Sequence, residues 1–374
     1  MEDKKIKILL ITPYFKEPHR WMISAYKEAI NFAKNGYETI VFTSRSKNTP
    51  KLVKKKNLKI YGYRDIFLKD PINFGIMPFM TFHLLNLIRK EKPTHIIISK
   101  HMFYTSLCMF PLKLMRKKVT VMVDTFPGQN WLSKSKIVNF VLKIYSRTIG
   151  KSILKLANKV IIFHEDLINL AKSMKLNYKV IHNGVDLEKY ESAKLPEDII
   201  KKDDEIIITY TGRLESIKNY PDIIEVAKKI TPKNKNITFL FAGDITGKED
   251  EIKKVETDQI KFLGYRKDIP SLLKISDIFI LASSNEGLPN SLMEAMAAKC
   301  ACISTNVGGV KSLIKENENG LLFEIHNLQE LEEKINYLVK NKETRINLGL
   351  SAHKKIKEEF NWEKIVKEII KEIK

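Results

Sequence analysis

The sequence predicts an α/β protein of two Rossmann-like domains, each a parallel sheet covered by helices. The first observation is the opening. An apolar run at residues 7–12 is followed by helical periodicity over residues 21–35, by Gly36 where a helix C-cap belongs, and by a second apolar run at residues 38–43. The second is that short uninterrupted apolar runs, of the kind buried on both faces of a parallel sheet, recur along the whole chain. The third is length, since 374 residues suit two domains that each bury a core.

In chain order, the loop after the first strand lacks the G-x-G-x-x-G pattern of a dinucleotide-binding protein and carries Pro18-His19-Arg20-Trp21 instead. Residues 51–59 include five lysines and read as a solvated hairpin or loop. Residues 71–88 contain no formal charge, yet Pro71, Asn73, Gly75, Pro78, His83 and Asn86 interrupt them, and a spanning helix needs about 20 predominantly apolar residues. The reading is a loop through Gly75 and then a helix into Arg89, with Phe74, Met77, Phe79 and Met80 either in the core or facing lipid. Strands follow at 95–99, 119–123 and 160–165, the second ending at Asp124 and the third containing His164, read as structural. Residues 137–156 interleave apolar positions with Lys143, Arg147, Lys151 and Lys155, after Lys136. This is a basic amphipathic helix, or two in series, that covers the sheet or lies on anionic headgroups.

Asn183-Gly184 suits a tight turn and closes a first domain of residues 1–182. The charged stretch 188–205 then supplies a connection into a second domain, residues 183–358, with strands at 206–210, 238–243, 260–264 and 302–306. The stretch 278–298 reads as strand, loop and helix: an apolar run ending at Ala282, a loop with Gly287, Pro289 suited to a first helical turn, and Leu292, Met293, Ala295 and Met296 at helical spacing. Such a junction aims the free amides of a helix N-terminus at the crevice beyond the strand ends, where open α/β sheets bind ligands and where phosphate is favoured. Glu286 and Glu294 flank that place. By spacing alone they read simply as a solvated acid and a helix-stabilising one.

Composition bounds the function. An apolar fraction of 44% is that of a globular protein, and three cysteines, with Cys300 and Cys302 on one apolar strand, give neither a disulfide framework nor a zinc pattern. The apolar run 8–11 is too short for a secretory signal, so a cytoplasmic location is expected. Charge is uneven: residues 1–180 carry 34 Lys and Arg against 11 Asp and Glu, net +23, whereas residues 181–374 carry 31 against 33, net −2. The first half is expected to meet something anionic.

The string Glu-Gly-Leu-Pro-Asn-Ser-Leu-Met-Glu-Ala-Met-Ala, from Glu286, resembles the E-x7-E signature of the retaining glycosyltransferases of family 4, which have the GT-B fold. Thr211-Gly212-Arg213-Leu214-Glu215-Ser216-Ile217-Lys218-Asn219 resembles the same family's G-R-L-x-x-x-K-N motif, in the correct order before it. Val180 to Asp186 looks like its interdomain N-G-V-D turn, and residues 359–374 like the C-terminal helix that returns to the first domain. The resemblance implies two Rossmann-like domains facing a cleft, closed by hinge motion, with the acceptor in the first and the nucleotide sugar in the second. It implies that Glu286 contacts hydroxyls of the donor sugar and Glu294 its ribose, roles that suit acceptor-only carboxylates. Arg213 and Lys218 then clamp the diphosphate, Gly212, Gly287, Leu288, Pro289 and Asn290 line the donor, and Tyr265 and Arg266 stack on or border the base. Gly308-Gly309 matches a flexible loop near the site.

The chain departs from the family in two places. Where relatives often have Gly-Gly after the first strand it has Arg20, either a substitute diphosphate contact or a surface arginine. Where many carry a histidine facing the donor sugar it has Asp124, either orienting an acceptor hydroxyl or capping a turn.

The implied reaction is glycosyl transfer from a nucleotide diphosphate sugar to an acceptor hydroxyl with retention, the leaving diphosphate taking the acceptor proton. No cofactor is expected, and no metal, because Arg213 and Lys218 supply the charge. The acceptor is unspecified; a lipid-linked acceptor and an anionic membrane surface fit the basic first half. A nucleotide-sugar epimerase of the same fold is the alternative. Nucleic-acid binding is suggested only by the charge, with no helix-turn-helix, zinc-finger or RNA-binding motif.

Overall fold

The computed structural model describes residues 6–15, 23–47, 49–68, 74–101, 104–126 and 136–374. The chain divides into two units, residues 1–183 with 363–374, and residues 184–362.

Unit 1 is built on an eight-stranded sheet. Its strands are β1 (Lys7–Ile11), β2 (Glu38–Arg45), β3 (Leu52–Lys55) and β4 (Leu58–Arg64), then, after the separate antiparallel pair β5 (Ile66–Leu68) and β6 (Phe74–Ile76), β7 (His95–Ser99), β8 (Val119–Val123), β9 (Lys159–Ile162) and β10 (Tyr178–Val180). The order is β10-β9-β8-β7-β1-β2-β4-β3, parallel throughout except for the edge strand β3. Ile8 to Ile11 and Ile40 to Phe42 are fully buried. That explains the unbroken apolar runs, because helices cover both faces of a central parallel strand. Those helices are α1 (Ile23–Lys34), α2 (Met80–Glu91), α3 (Met109–Leu114), α4 (Lys136–Tyr145), α5 (Lys151–Leu156) and α6 (Ile168–Ser173). Gly36 caps α1 with φ +88°, a left-handed conformation that suits glycine.

Unit 2 carries a six-stranded parallel sheet of β11 (Ile206–Thr211), β12 (Ile237–Ala242), β13 (Ile260–Phe262), β14 (Ile278–Leu281), β15 (Ala301–Thr305) and β16 (Leu321–Phe323), in the order β13-β12-β11-β14-β15-β16. Around it lie α7 (Leu187–Glu191), α8 (Tyr220–Ile230), α9 (Glu249–Lys253), α10 (Ile269–Ile275), α11 (Asn290–Ala297), α12 (Val310–Leu313), α13 (Leu328–Lys340) and α14 (Lys342–Glu359). The last helix, α15 (Trp362–Ile373), falls almost wholly in unit 1, where Glu372 pairs with Lys159 at 2.8 Å. In unit 2 the strand order runs one way from β11 and the other way from β14. The topological switch point therefore lies between these two neighbours, and the loops at their carboxyl ends meet there.

Some expectations are refined. Residues 51–59 form the β3–β4 hairpin, with left-handed Asn57 at its turn. Between Asp65 and Met80 the chain makes the β5–β6 pair rather than a plain loop, and no helix among the described residues is long and apolar enough to cross a membrane. Met77 is core, Met80 packs against the core, and Phe79 is exposed; the side chain of Phe74 lies outside the described residues, as does the loop holding His19 and Arg20.

The basic helix is two helices joined by a π-helical stretch, Ser146–Gly150. The second, α5, buries Ile153 and Leu154, but Phe140, Val141 and Ile144 of α4 face solvent, so α4 does not serve simply to cover the sheet. Residues 188–205 are not a free linker. Lys201 reaches Asp277 at 2.6 Å and Asp198 reaches Arg266, which tie the segment onto unit 2.

Candidate functional site

The switch point of unit 2 holds most of the predicted residues. After β11 the chain turns sharply: the Tyr210 phenol donates to the Arg213 carbonyl at 2.9 Å, and a Cβ on Gly243 would stand 2.1 Å from the Gly212 oxygen, so the neighbouring strand end needs glycine to approach. The loop then makes a short 3₁₀ turn, Ser216–Lys218, before left-handed Asn219 starts α8. The loop after β14 is stitched to it, with the Ser284 amide donating to the Ile217 carbonyl at 2.9 Å and its hydroxyl 3.2 Å from Asn219 Oδ1.

These bonds bring two charges together. Lys218 Nζ lies 2.5 Å from Glu286 Oε1, and the Ser283 hydroxyl donates to the same oxygen at 2.6 Å. The two side chains are only 18% and 10% exposed. Among the described residues Glu286 Oε2 has no hydrogen-bond partner. A fixed ammonium and a carboxylate with one oxygen in reserve are suited to an anionic group and a hydroxyl side by side.

Behind Glu286, Gly308 and Gly309 form a packed support rather than a loose loop. The Gly309 amide donates to the Gly287 carbonyl at 2.7 Å, and Cβ atoms at 308 and 309 would lie 1.8 Å from the Glu286 oxygen and 2.3 Å from the Gly287 oxygen. Leu288 and Pro289 are buried and lead into α11, held down by Leu292, Met293, Ala295 and Met296. Asn290 opens that helix, so its first turn presents amides without intrahelical acceptors. One turn in, half-buried Glu294 is hydrogen-bonded by the phenol of Tyr190 on α7; burial, and then the Glu294 charge, raise the Tyr190 pKa. Tyr190 gave no sign in the sequence, because its role depends on α7 packing back over α11.

The other predicted donor residues stand apart. Arg213 is 71% exposed and pairs with Glu215 at 2.8 Å rather than with Glu286. Tyr265 is exposed. Arg266 is engaged by two acids, Asp198 at 2.6 and 2.8 Å and Asp268 at 3.0 and 2.5 Å, and so clamps residues 198 and 268 together.

Unit 1 has its own cluster, at the carboxyl ends of β7, β8 and β9. Asp124 pairs with the buried Lys100, which is held in a left-handed backbone conformation at φ +76°. Burial alone would raise the Asp124 pKa, but the Lys100 ammonium reverses this and holds the carboxylate ionised. His164 Nε2 lies 3.0 Å from the Asp124 carbonyl, consistent with a structural role, and His101 is buried with its pKa pushed down to about 4. Glu28, from α1, completes the group. It is fully buried, and desolvation raises its pKa to about 7 against the pull of Lys100 and Ser99. Lys100, His101 and Glu28 were missed in the sequence, where only the residues directly after β7 offered a signal.

Glu28 makes stability pH-dependent. Its folded pKa lies above that of a free glutamate, so its contribution is fully present below about 4.5 and is lost as pH rises through about 7. Glu28→Gln is expected to flatten that loss and to exceed the parent by about 3 kcal/mol at pH 8. Thermal unfolding of both proteins from pH 4 to 8 checks this, and parallel curves would exclude a neutral Glu28.

Residues 23–189 match the model of the family described as Glycosyltransferase Family 4, and residues 191–355 that of Glycosyl transferases group 1. Over 208 residues the chain is 33% identical to the UDP-Gal:alpha-D-GlcNAc-diphosphoundecaprenol alpha-1,3-galactosyltransferase of Escherichia coli, a match covering 52% of this chain and 53% of that one. It is 26% identical to an uncharacterized glycosyltransferase of Methanocaldococcus jannaschii over 98% of this chain and 97% of the other. A match to the N-acetyl-alpha-D-glucosaminyl L-malate synthase of Bacillus anthracis, 27% identical, covers 54% and 53%. The first and third matches thus span about half the length of those relatives. Among solved structures, Anabaena HepE in complex with UDP-glucose aligns with a TM-score of 0.76 at 17% identity, over 98% of both chains. The sucrose-phosphate synthase of Thermosynechococcus elongatus aligns at 0.74 and 16%, also over 98% of both, and these likenesses speak for the fold.

Proposed function

We propose, for a chain that belongs to the glycosyltransferases of GT-B fold, family 4 in its first half and group 1 in its second, that it transfers a sugar from a nucleotide diphosphate sugar to an acceptor hydroxyl with retention of configuration. The observation that carries this reading is the Lys218–Glu286 pair at the switch point of unit 2, beside the N-terminus of α11. Lys218, joined by the exposed Arg213, takes the diphosphate charge without a metal ion. Glu286 takes a sugar hydroxyl and Glu294 the ribose. The C1–diphosphate bond breaks as the acceptor oxygen bonds to C1 from the same face, and the acceptor proton passes to the leaving diphosphate oxygen. In support, the Escherichia coli relative is by name a UDP-galactose enzyme and HepE binds UDP-glucose.

The test is a panel of nucleotide sugars in a thermal-shift assay, followed by NMR of the product formed by the one that stabilises. The expected product keeps the donor's anomeric configuration. An inverted product would overturn retention, and isomerisation of the donor with no acceptor would make the chain an epimerase.

We place the acceptor at an anionic membrane surface, as part of cell-surface glycan synthesis. The relative's name describes a lipid-linked diphosphate substrate. In unit 1, residues 92–164 hold 13 Lys and Arg and the single acid Asp124. On that segment α4 exposes Phe140, Val141 and Ile144, and α3, which packs against α5, exposes Phe110 and Leu114. Each cation near an anionic leaflet contributes about 1 kcal/mol, so changing Lys143, Lys151 and Lys155 to Gln is expected to weaken binding to anionic liposomes on the order of 100-fold. Co-sedimentation at low and high salt checks this. Equal binding by parent and variant would remove the membrane from the proposal.

A further inference from the structure

Between α2 and the β3–β4 hairpin, unit 1 has an open pocket of about 750 Å³, within the range of small-molecule sites. Its charge is one-sided: Arg45, Lys51, Arg64 and Lys90 line it and, among the described residues, no acid does. Arg45 is fixed in place, donating to the carbonyls of Gly62 at 3.2 Å, Ser46 at 3.1 Å and Thr49 at 2.9 Å. Lys90 lies over the Tyr61 ring at 5.3 Å, and none of Lys51, Arg64 and Lys90 has an ion-pair partner among the described residues. Four like charges around one hollow repel one another unless an anion joins them, and an arginine fork matches phosphate oxygens.

The walls and rim are apolar and aromatic. Tyr63 stacks on His83 at 4.6 Å, and Leu52, Pro78 and Phe79 complete the opening. Phe79 is 80% exposed and sits in the left-handed region at φ +54°, a conformation that costs a bulky residue about 1–2 kcal/mol. From it an exposed apolar strip continues through Phe82 and the cross-strand pair Ile66–Ile76. A cationic hollow opening onto a hydrocarbon-accepting strip has the layout of an amphiphile site.

We propose that this cavity binds a lipid-linked diphosphate, with the phosphoryl oxygens among Arg45, Lys51, Arg64 and Lys90 and the hydrocarbon leaving over Phe79 and the Ile66–Ile76 strip. The inference rests on the reading of a lipid-linked acceptor and identifies which part of the chain holds its diphosphate and lipid.

The test is equilibrium binding of farnesyl diphosphate to the full chain, against inorganic diphosphate, farnesol and phosphatidylglycerol vesicles. Farnesyl diphosphate is expected to bind at least about tenfold tighter than inorganic diphosphate or farnesol, because only it fills both parts. Arg64→Gln with Lys90→Gln should weaken it by about tenfold or more, and Phe79→Ser should weaken farnesyl diphosphate while sparing inorganic diphosphate. All three positions are exposed, and stabilisation by nucleotide sugars, measured on the same variants, should not change. Equal affinity for inorganic and farnesyl diphosphate, unaltered binding in the double variant, or full competition by phosphatidylglycerol vesicles would each overturn the proposal. A chain that bound farnesyl diphosphate as expected but responded to no nucleotide sugar would instead overturn the donor reading and leave the cavity assignment standing.

Discussion

Lys218→Ala is expected to lower turnover about 100-fold or more, by analogy with the loss of one preorganised donor facing charge that develops in a transition state. Lys218 is fixed before any ligand arrives: the Ser216–Lys218 turn is tied through Ile217 to the loop after β14, and the ammonium already rests on Glu286. Such a group needs little reorganisation when negative charge builds on the leaving diphosphate. The substitution also strands a mostly buried carboxylate, so the thermal midpoint should fall as well, and turnover must be measured on protein shown to be folded. Arg213→Ala should follow Lys218→Ala in kind; because Arg213 is exposed and paired with Glu215, its loss leaves the unliganded protein's stability nearly unchanged. Both variants should remain indifferent to EDTA. Activity abolished by EDTA and restored by Mg²⁺ or Mn²⁺ would show that a metal, not these two cations, carries the diphosphate charge.

The sequence revealed the central strands of the two sheets because a strand buried on both faces has to be apolar throughout, as Ile278–Leu281 is, and it passed over edge strands such as β3 and β16. It revealed Lys218 and Glu286 through their resemblance to the family's G-R-L-x-x-x-K-N and E-x7-E motifs, since position in a loop after a strand, though it leads to the switch point, does not by itself separate a site residue from a solvated one. It did not show that the two side chains form a pair. That contact depends on Ser284 binding Ile217, a backbone bond between loops distant in sequence. The Arg266–Asp198 pair was hidden for a similar reason, because Asp198 lies on a segment that looked like a linker. The Glu28–Lys100–Asp124 group was hidden because each member comes from a different element, and the apolar face of α1 gave no reason to expect a buried acid. The solvent-facing apolar surface of α4 was likewise ambiguous, since periodicity shows that a helix has an apolar face but not what covers it.

Glu294→Ala is expected to weaken binding of the nucleotide, and of the nucleotide sugar equally, by about 1.5–3 kcal/mol, roughly 10- to 150-fold in Kd, because charge-assisted bonds to ribose hydroxyls are lost. The effect should be uniform in ground and transition states, since the ribose does not change during transfer, and turnover at saturating donor should be nearly preserved. Tyr190→Phe separates binding from mere folding. It leaves the carboxylate in place and removes only the phenol that holds it, so it should reproduce a smaller part of the same loss, about three- to tenfold, with no change in turnover. Glu286→Ala should do the opposite. Its carboxylate belongs with the sugar, the part of the donor that changes geometry, so turnover should fall more than affinity for the nucleotide, and the bare nucleotide should bind almost as before. Titration calorimetry with the nucleoside diphosphate, alongside kcat and KM for the donor, distinguishes the two patterns. If both alanine variants bound donor and turned over like the parent, the assignment of ribose to Glu294 and sugar to Glu286 would be wrong; if the patterns were exchanged, the donor would lie in the reverse orientation along α11.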